Sequence, residues 1–379
     1  MSTIQTNAIV DASGGNTTTV NGISPLANTA RFGRNLIING DFKVAQRGTT
    51  FAAAAGGTFV SDRWSNLAGG ATGGKIGYTR STDAPAGFKY STKLDVSTAM
   101  SSLASNDFYI FRYRGFERQD IEHLNYGTSD AKQITLSFWV KSNKTGTMYA
   151  EFQVPTSSGS MELSKPYTVD AVNTWEYKTL TWPPNTVHTT NAADNGVGLY
   201  LYMWIASGAN TGSPLATSWN NNSNRVPGIT NYLDSTSNEI YFTGFQLEVG
   251  DTATDFEHRS YGDVLAKCQR YYQNYIDYDY ATLGAGRGAS GGDLVVFTCP
   301  LPTQMRANPT ITTNGAYYVY DHNSRSLTTP TSVSQSQGDA TKNTNITLAM
   351  AFSSVVCDDD RVCVIGGHEA NYILFDAEL

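Results

Sequence analysis

The sequence has few cysteines, and they are unevenly placed. Cys268, Cys299, Cys357 and Cys363 all lie in the last third of the 379 residues, which is too few and too one-sided for a disulfide scaffold. We expect reduced, mostly buried thiols, with one bridge between Cys357 and Cys363 as the alternative. No second cysteine pair or histidine pair has the spacing of zinc ligands, so no zinc site is expected.

Positive charge and long apolar runs are also scarce. The chain has 26 Lys and Arg against 33 Asp and Glu, a net charge of -7, without a basic cluster. A nucleic-acid partner is therefore not expected, because such proteins need a basic face to displace counterions. No apolar run approaches the roughly 18 residues of a membrane span, and Met1 to Gln5 lack the features of a secretory signal. We expect a soluble product, kept inside the cell at first and not inserted in a membrane.

Catalytic signatures are missing as well. The glycine-rich run from Gly284 to Gly292 has spacing similar to a phosphate-binding loop, but a strand rather than a helix is expected after it. Walker-type, nucleophile-elbow and His-Glu-x-x-His motifs do not occur, and the five histidines are scattered. A fixed repeat of 20 to 30 residues, typical of β-helical glycan-cutting fibres, is lacking. We expect neither an enzyme nor a cofactor.

The abundant residues are those typical of short strands and turns. The chain contains 35 Gly and 22 Tyr, with many Thr, Ser and Asn, and its length favours two or three domains. Residues 1–33 have no apolar period and cannot bury a core, so we interpret them as an arm ordered by another copy or by a docking protein.

The remainder predicts a mostly β protein with two domains. Residues 34–260 contain about eight to ten short strands, the last from Ile240 to Val249, which fit a jelly roll or two-sheet sandwich. A short amphipathic helix follows from Asp263, and strands resume to complete a smaller β-sandwich within residues 261–379. Tyr271, Tyr272 and Tyr275 continue the helical spacing and are predicted contacts between domains or between copies.

The longest insertion, Ser207 to Tyr232, contains candidate ligand contacts. Trp219 with Asn221 and Arg225 suits sugar rings, because an aromatic face accepts the apolar face of a sugar and amides pair with hydroxyls. The alternative is that Trp219 packs on its own domain. Calcium at Asp358 to Asp360, or at Asp41 with Asp62, is the less favoured interpretation of those acids, so no metal site is predicted.

Three groups of residues resemble virion fibre and tail proteins of bacteriophages, and together they bracket the chain from Asn35 onward. They are Asn35 to Phe42 with Gln46 to Gly48 and Ser61 to Trp64; Phe242 to Glu248 with Ala253 to Arg259 and Leu265 to Tyr272; and Met305 to Thr310 with Tyr372 to Leu379.

The resemblance implies a first domain similar to a carbohydrate-binding jelly roll, a distal β-sandwich, a homotrimer and a role at the host surface. It implies a tail fibre assembled in the host cytoplasm, attached to another virion protein through residues 1–33. A host glycan or envelope protein would be its receptor. Separately from the resemblance, we predict Tyr318 and His322 as further candidate receptor contacts. In related modules a glutamate that helps bind calcium stands where this chain has Lys43. A head fibre or capsid decoration protein, and a free carbohydrate-binding module, are the alternatives.

Overall fold

The chain folds mainly into antiparallel β-strands. The computed structural model describes residues 33–157, 159–187, 194–209, 214–221, 225–275, 282–320, 325–337, 345–354, 356–357, 361–367 and 372–379. The predicted arm therefore lies outside the described residues, apart from Gly33.

Twelve strands form the first β-sandwich. They are β1 (Thr50–Phe51), β2 (Phe59–Ser61), β3 (Trp64–Gly69), β4 (Ile76–Ser81), β5 (Ser91–Val96), β6 (Phe108–Glu117), β7 (Ile134–Ser142), β8 (Gly146–Thr156), β9 (Gly159–Val169), β10 (Glu176–Trp182), β11 (Val197–Ser207) and β12 (Glu239–Val249). Sheet I has the order β1-β4-β5-β12-β7-β10, and sheet II the order β2-β3-β6-β11-β8-β9. A single turn of helix, α1 (Arg118–Ile121), follows β6.

The core of this sandwich is lined by alternating side chains of both sheets. In β11, Leu199, Leu201 and Met203 point inward and are fully buried, as the period-two geometry of a strand requires. Aromatic rings bridge the two sheets, since Phe111 of sheet II and Phe242 of sheet I stack with centroids 6.0 Å apart.

The first sandwich is closed by the segment that follows the arm. The backbone N–H of Leu36 donates to the carbonyl of Leu247 at 3.0 Å, and the N–H of Phe245 donates to the carbonyl of Gly40 at 3.0 Å. A Cβ on Gly40 would lie 2.1 Å from the carbonyl oxygen of Phe245, so only glycine permits this approach. The residues after the arm thus run along β12.

The predicted linking helix is confirmed as α2 (Tyr261–Gln269), whose first turn is capped by the Ser260 side chain accepting from the backbone of Asp263. Its buried residues Val264 and Cys268 form a small apolar cluster with Val44. The tyrosines that were expected to continue the helical spacing lie beyond it.

Ten strands form the second, smaller β-sandwich. They are β13 (Tyr272–Asn274), β14 (Thr282–Ala289), β15 (Leu294–Pro300), β16 (Thr310–Thr313), β17 (Tyr317–Tyr320), β18 (Arg325–Thr328), β19 (Ser332–Gln337), β20 (Asn345–Ala351), β21 (Val362–Gly367) and β22 (Ile373–Asp376). Their sheets have the orders β13-β22-β16 and β18-β17-β21-β14-β15-β20-β19. The mostly β fold with two sandwiches is confirmed, and all four cysteines are free and buried.

The two sandwiches meet at a buried polar junction, which we define as Arg47, Arg63, Glu117, Tyr271 and Glu378. The guanidinium of Arg63, whose side chain is fully buried, pairs with Glu378, and Arg47 pairs with the same carboxylate at 3.2 Å. The ring of Tyr271 lies against Arg63, with 3.4 Å between the guanidinium carbon and the ring centroid.

A second carboxylate completes the junction. Glu117 accepts two hydrogen bonds from Arg270 at 2.7 Å and one from the Tyr271 hydroxyl at 2.7 Å. Burial works to raise the pKa of Glu117, but these hydrogen bonds outweigh it and the pKa is lowered. Each sandwich therefore supplies charge that the other neutralises.

Candidate functional site

Sheet II turns a mixed aromatic and polar face away from the core. Because successive side chains of a strand point to opposite faces, the residues between the buried ones line up across neighbouring strands. The pairings between β3, β6, β11 and β8 create one outward row of Leu67, Ile110, Trp204 and Tyr149.

The neighbouring row on the same face is polar. Strand pairing brings together Ser65, Arg112, Tyr202, Glu151 and Ser164. Arg112 donates to the Ser65 hydroxyl at 3.0 Å, and the Ser164 hydroxyl donates to Glu151 at 2.7 Å. The two ends of the row are therefore fixed by hydrogen bonds within the protein.

A cleft of about 570 Å³ opens over this face. Its walls come from sheet II, from the loop that precedes β6 and from the segment after β11. The lining residues are Leu67, Ser105, Asn106, Asp107, Phe108, Ile110, Gln153, Glu162, Tyr202, Trp204, Ser207, Asn221 and Arg225.

Trp204 is the central aromatic residue of the cleft. It is only 3% exposed and lies between Phe108, with ring centroids 5.9 Å apart, and Arg225, whose guanidinium carbon is 5.1 Å from the indole centroid. The indole N–H finds no acceptor among the described residues. Leaving a buried donor unpaired costs about 1–3 kcal/mol, so the wall of the cleft contains an unpaired donor, although the N–H itself has no exposed surface.

An arginine and a fully buried carboxylate form the polar side of the cleft. Arg225 contacts Glu151 through two nitrogens, one of them at 2.9 Å, and the Glu151 side chain has no exposed surface. Burial works to lower the pKa of Arg225, but Glu151 raises it by more, so the guanidinium stays charged. Arg225 is thereby held in one orientation beside Trp204.

Glu162 is the second carboxylate of this region, and it lines the cleft. Burial raises the pKa of Glu162 to about 7, with a further contribution from Glu151, while Arg225 and a hydrogen bond from Ser160 act in the opposite direction. Near neutral pH its carboxyl group therefore exists in both forms. The protonated form can donate a hydrogen bond and the ionised form can only accept.

Other polar groups of the cleft are already fixed by the protein. The hydroxyl of Tyr202 donates to the Gln153 side chain at 2.9 Å, and burial raises the pKa of Tyr202 to about 12. Asp107 accepts from the backbone N–H groups of Ala71 at 2.7 Å and Ala104 at 2.8 Å. These contacts give the cleft a rigid polar lining suited to binding.

Two of the three residues predicted in the long loop reach the cleft. Arg225 and Asn221 line it. The exposed Asn221 is placed there by its neighbour Asn220, whose backbone exchanges hydrogen bonds of 2.8 and 3.2 Å with Glu162. Trp219 is not a lining residue. Its N–H donates to the carbonyl of Pro183 at 3.0 Å, and its ring packs edge-on against Tyr126 at 5.8 Å.

The predicted contacts of the second sandwich lie elsewhere. Tyr318 is in β17, is 8% exposed and packs near Tyr320, with ring centroids 5.8 Å apart. His322 lies outside the described residues. The structure therefore does not bring Tyr318 together with the residues of the cleft.

The three tyrosines after α2 have different surroundings. Tyr271 and Tyr272 are buried at the junction, where the guanidinium carbon of Arg47 lies 3.7 Å from the centroid of the Tyr272 ring. Tyr275 packs within the second sandwich, edge-on to Phe375 at 6.0 Å. A contact between copies through these residues stays a prediction.

No group of three or more His, Cys, Asp or Glu in the described part of the chain is arranged to hold a metal ion. Asp41 pairs with Lys43 at 2.8 Å, and Asp62 accepts from the backbone and side chain of Gln46 at 2.8 and 2.7 Å. Asp358 to Asp360 are outside the described residues. Within the described ranges, no helix has the length and apolarity to cross a membrane.

Sequence reasoning missed most of the cleft. Tyr200, Tyr202 and Trp204 alternate with fully buried aliphatic residues along β11, and that alternation is the signal of a large aromatic outward face. Glu162 and Gln153 gave no such signal, because only the pairing of β8 with β9 and β11 brings them to the cleft that Trp204 also lines.

Comparisons with known proteins give distant structural similarities only. No protein-family model matches the chain, and no curated protein matches its sequence. The enzymatically active domain of tailspike protein 4 of bacteriophage CBA120 is 15% identical with a TM-score of 0.30, covering 60% of this chain and 22% of that chain.

Two carbohydrate-binding structures are also similar. A family 11 carbohydrate-binding module of a Clostridium thermocellum cellulase is 10% identical, with a TM-score of 0.28 and coverage of 55% of this chain and 98% of that chain. A xylan-binding domain from Paenibacillus barcinonensis is 12% identical, with a TM-score of 0.27 and coverage of 49% and 91%. TM-scores this low assign neither a family nor a function, so function has to be argued from the cleft itself.

Proposed function

We propose that this protein binds a glycan in the cleft on sheet II, without cleaving it, and that this binding serves attachment of a bacteriophage particle to its host. The observation that carries the proposal is Trp204, a buried ring in the wall of an open cleft whose N–H has no acceptor among the described residues. A sugar hydroxyl or ring oxygen is an acceptor of the required kind, and it would reach this buried N–H when a side chain packed against the indole, such as Phe108 or Arg225, moves aside.

The rest of the cleft supports a saccharide rather than an apolar ligand. Its volume of about 570 Å³ lies within the roughly 300–1,000 Å³ that is usual for ligand sites. Phe108 and Tyr202 offer aromatic surface, while Gln153, Asn221 and Glu162 offer hydrogen-bonding groups. Aromatic faces with a few polar groups match the alternating apolar and hydroxyl surfaces of a sugar ring.

The surroundings of the carboxylates support binding without hydrolysis. A glycosidase usually needs two carboxyl groups facing the scissile bond. Glu151 has no exposed surface and uses its oxygens on Arg225 and Ser164, and Asp107 is occupied by two backbone N–H groups. Glu162 accepts one hydrogen bond from Ser160 and lies 3.9 Å from Arg225, and its remaining hydrogen-bonding capacity can serve a ligand.

The test is binding of the purified protein to an array of bacterial surface polysaccharides, followed by calorimetry on any glycan that binds. Trp204→Phe keeps a ring but removes the N–H, and we expect about tenfold weaker binding, since one hydrogen bond to a ligand approaches 1.4 kcal/mol. Trp219→Phe is the matched control and should bind normally. Absence of any glycan ligand, or equal affinity of the Trp204→Phe variant, contradicts the proposal.

We further propose, from the resemblance to phage fibres, a homotrimeric tail fibre whose residues 1–33 attach to another virion protein. Three weak glycan sites on one particle would act together and raise the overall avidity. Light scattering should give the mass of three chains, whereas a stable monomer at micromolar concentration contradicts the trimer. Antibodies to the second sandwich, applied to intact particles, distinguish a tail fibre from the alternative of a head fibre or capsid decoration protein.

A further inference from the structure

A second concave surface lies outside the cleft, where β4 and its connection to β5 meet the start of α2. This groove has a volume of about 520 Å³. Its main lining residues are Arg80, Phe88, Lys89, Tyr90, His258 and Tyr261. None of these residues lines the cleft, so the two surfaces are separate.

The groove carries positive charge that the described residues leave uncompensated. The groove is also lined by Asp41 and Lys43, whose opposite charges pair with each other at 2.8 Å. Arg80 and Lys89, in contrast, form no ion pair with a carboxylate of the described part of the chain. Arg80 uses one nitrogen to donate to the carbonyl of Lys43 at 3.1 Å. Its other N–H groups remain for a ligand.

Aromatic rings hold these cations in place. The guanidinium carbon of Arg80 lies 4.4 Å from the centroid of the Tyr90 ring, and the ammonium of Lys89 lies 5.1 Å from the same ring. Because a cation over a ring face is attracted by the ring quadrupole, both charges are held at one wall of the groove.

The remaining rings give the groove an apolar surface. Phe88 packs against Phe256 and His258, with centroids 4.9 and 5.4 Å away. Gly244, at φ +66, makes room for this packing, because a Cβ there would lie 2.7 Å from the tip of the Phe88 ring. Tyr261 is 56% exposed and offers a ring to solvent at the groove's edge.

We propose that this groove is a second binding site, specific for saccharides that carry carboxylate groups, such as uronic or sialic acid units. A guanidinium fork matches a carboxylate in a bidentate manner, and the rings suit the apolar face of the same sugar. The chain has a net charge of -7, so the selection of an anion is a local property of the groove. This inference does not depend on glycan binding in the cleft.

Charge complementarity disfavours the chain's own arm as the occupant. Residues 1–32 contain a single acidic residue, Asp11, and one arginine, Arg31, so the arm offers little negative charge to Arg80 and Lys89. A carboxylated sugar satisfies both the cations and the rings.

The experiment is calorimetry on the full-length chain with three acidic probes, hexamers of galacturonate, of hyaluronan and of α2,8-linked sialic acid. The methyl ester of the galacturonate hexamer is the neutral control. We expect at least one acidic probe to bind, and its affinity to fall about tenfold or more in Arg80→Gln and several-fold in Lys89→Gln, because charge-assisted hydrogen bonds are lost. Lys132→Gln, which removes an exposed charge elsewhere, and Trp204→Phe, in the cleft, should leave the affinity unchanged.

Each contrary outcome overturns the proposal in a recognisable way. Failure of all three acidic probes to bind at millimolar concentration removes the site. Equal binding of the methyl ester shows that charge is not recognised, and equal weakening by Lys132→Gln shows non-specific attraction. Binding that appears only after deletion of residues 1–32 identifies the arm as the occupant, and loss only in Trp204→Phe assigns the probe to the cleft. Lys89→Gln keeps the test valid if Arg80→Gln fails to fold, since Lys89 is exposed.

Discussion

The cleft and the junction contain the same types of residue but differ in solvent exposure and in the pairing of their hydrogen-bonding groups. Each holds an arginine against a buried glutamate beside an aromatic ring, Arg225 with Glu151 in the cleft and Arg63 with Glu378 at the junction. The Arg63 side chain is fully buried whereas Arg225 is 23% exposed.

The hydrogen bonds of the two aromatic residues show the same contrast. The hydroxyl of Tyr271 donates to Glu117, while the N–H of Trp204 has no acceptor among the described residues. Residue type alone therefore does not separate a structural contact from a binding surface. Solvent access and unpaired hydrogen-bonding groups do, and four comparisons of variants test this difference.

The largest effect is expected at the junction. Glu378→Gln removes the carboxylate that, against the effect of burial, raises the pKa of Arg63, and leaves Arg63 buried without its counter-charge. Breaking a buried pair in this way costs about 3–5 kcal/mol, to be measured by urea unfolding. Asp194→Asn breaks the exposed pair with Arg118 and should cost below about 1 kcal/mol. Equal losses in the two variants would contradict the importance of the junction.

A smaller effect is expected when the corresponding pair of the cleft is broken. Arg225→Gln leaves Glu151 with the Ser164 hydroxyl, but the vacated space adjoins the open cleft and water can enter. We expect a loss of about 1–3 kcal/mol in the free energy of unfolding, with partial recovery in Arg225→Lys. A loss larger than that of Glu378→Gln would reverse the ranking of the two sites.

The aromatic residues give a matched test of hydrogen bonding. Tyr271→Phe removes the hydroxyl that donates to Glu117, and we expect a loss of about 1–2 kcal/mol. Trp204→Phe removes a donor that has no partner among the described residues, so relief of the unpaired N–H offsets part of the packing lost with the smaller ring, and the free energy of unfolding should fall by less than in Tyr271→Phe even where glycan binding is weakened. Comparable losses in both variants would mean that the indole N–H is satisfied in the free protein.

The smallest effect is the change of stability with pH, and the sign of this change should differ between the cleft and the junction. The pKa of Glu162 is about 7 in the folded chain against an ordinary 4.5, so the folded state binds its proton more tightly and stability falls as pH rises through this window. Glu162→Gln should remove that slope, worth about 3–5 °C in the melting temperature between pH 5 and 8.

The pKa of Glu117 at the junction is lowered. Its contribution is therefore present above the ordinary pKa and is lost as pH falls below it. The check is the difference in melting temperature between the unsubstituted chain and each variant, Glu117→Gln and Glu162→Gln, measured from pH 3.5 to 8. If the two differences change with pH in the same direction, the predicted opposition is contradicted.

Local sequence patterns predicted the strands and the helix better than they predicted which residues those elements contact. The strand expected from Ile240 to Val249 is β12, Glu239–Val249, because its alternation has one buried face. The helix expected after Asp263 exists, but it ends at Gln269. Tyr272 instead pairs with Asp376, a partner about a hundred residues away that helical spacing does not reveal.

The cleft was harder to predict because its parts are distant in sequence. Asn221 and Arg225 were identified from a loop, but Trp204 meets Ile110 and Tyr149 only through the registers of three strands. Trp219 was the more obvious candidate in sequence. Its N–H is satisfied by Pro183, and a tryptophan whose polar and apolar parts are both used by its own fold has little left for a ligand.

The closure of the first sandwich has a consequence for the order of folding. The backbone bonds of Leu36 and Gly40 with β12 join segments about 200 residues apart, and contacts of such long range form late because loop closure has to come first. During synthesis, Ile37 and Phe42, buried in the finished core, stay uncovered until β12 has emerged from the ribosome. A nascent chain that stalls before Glu239 would expose this apolar surface and be a target for chaperones and aggregation.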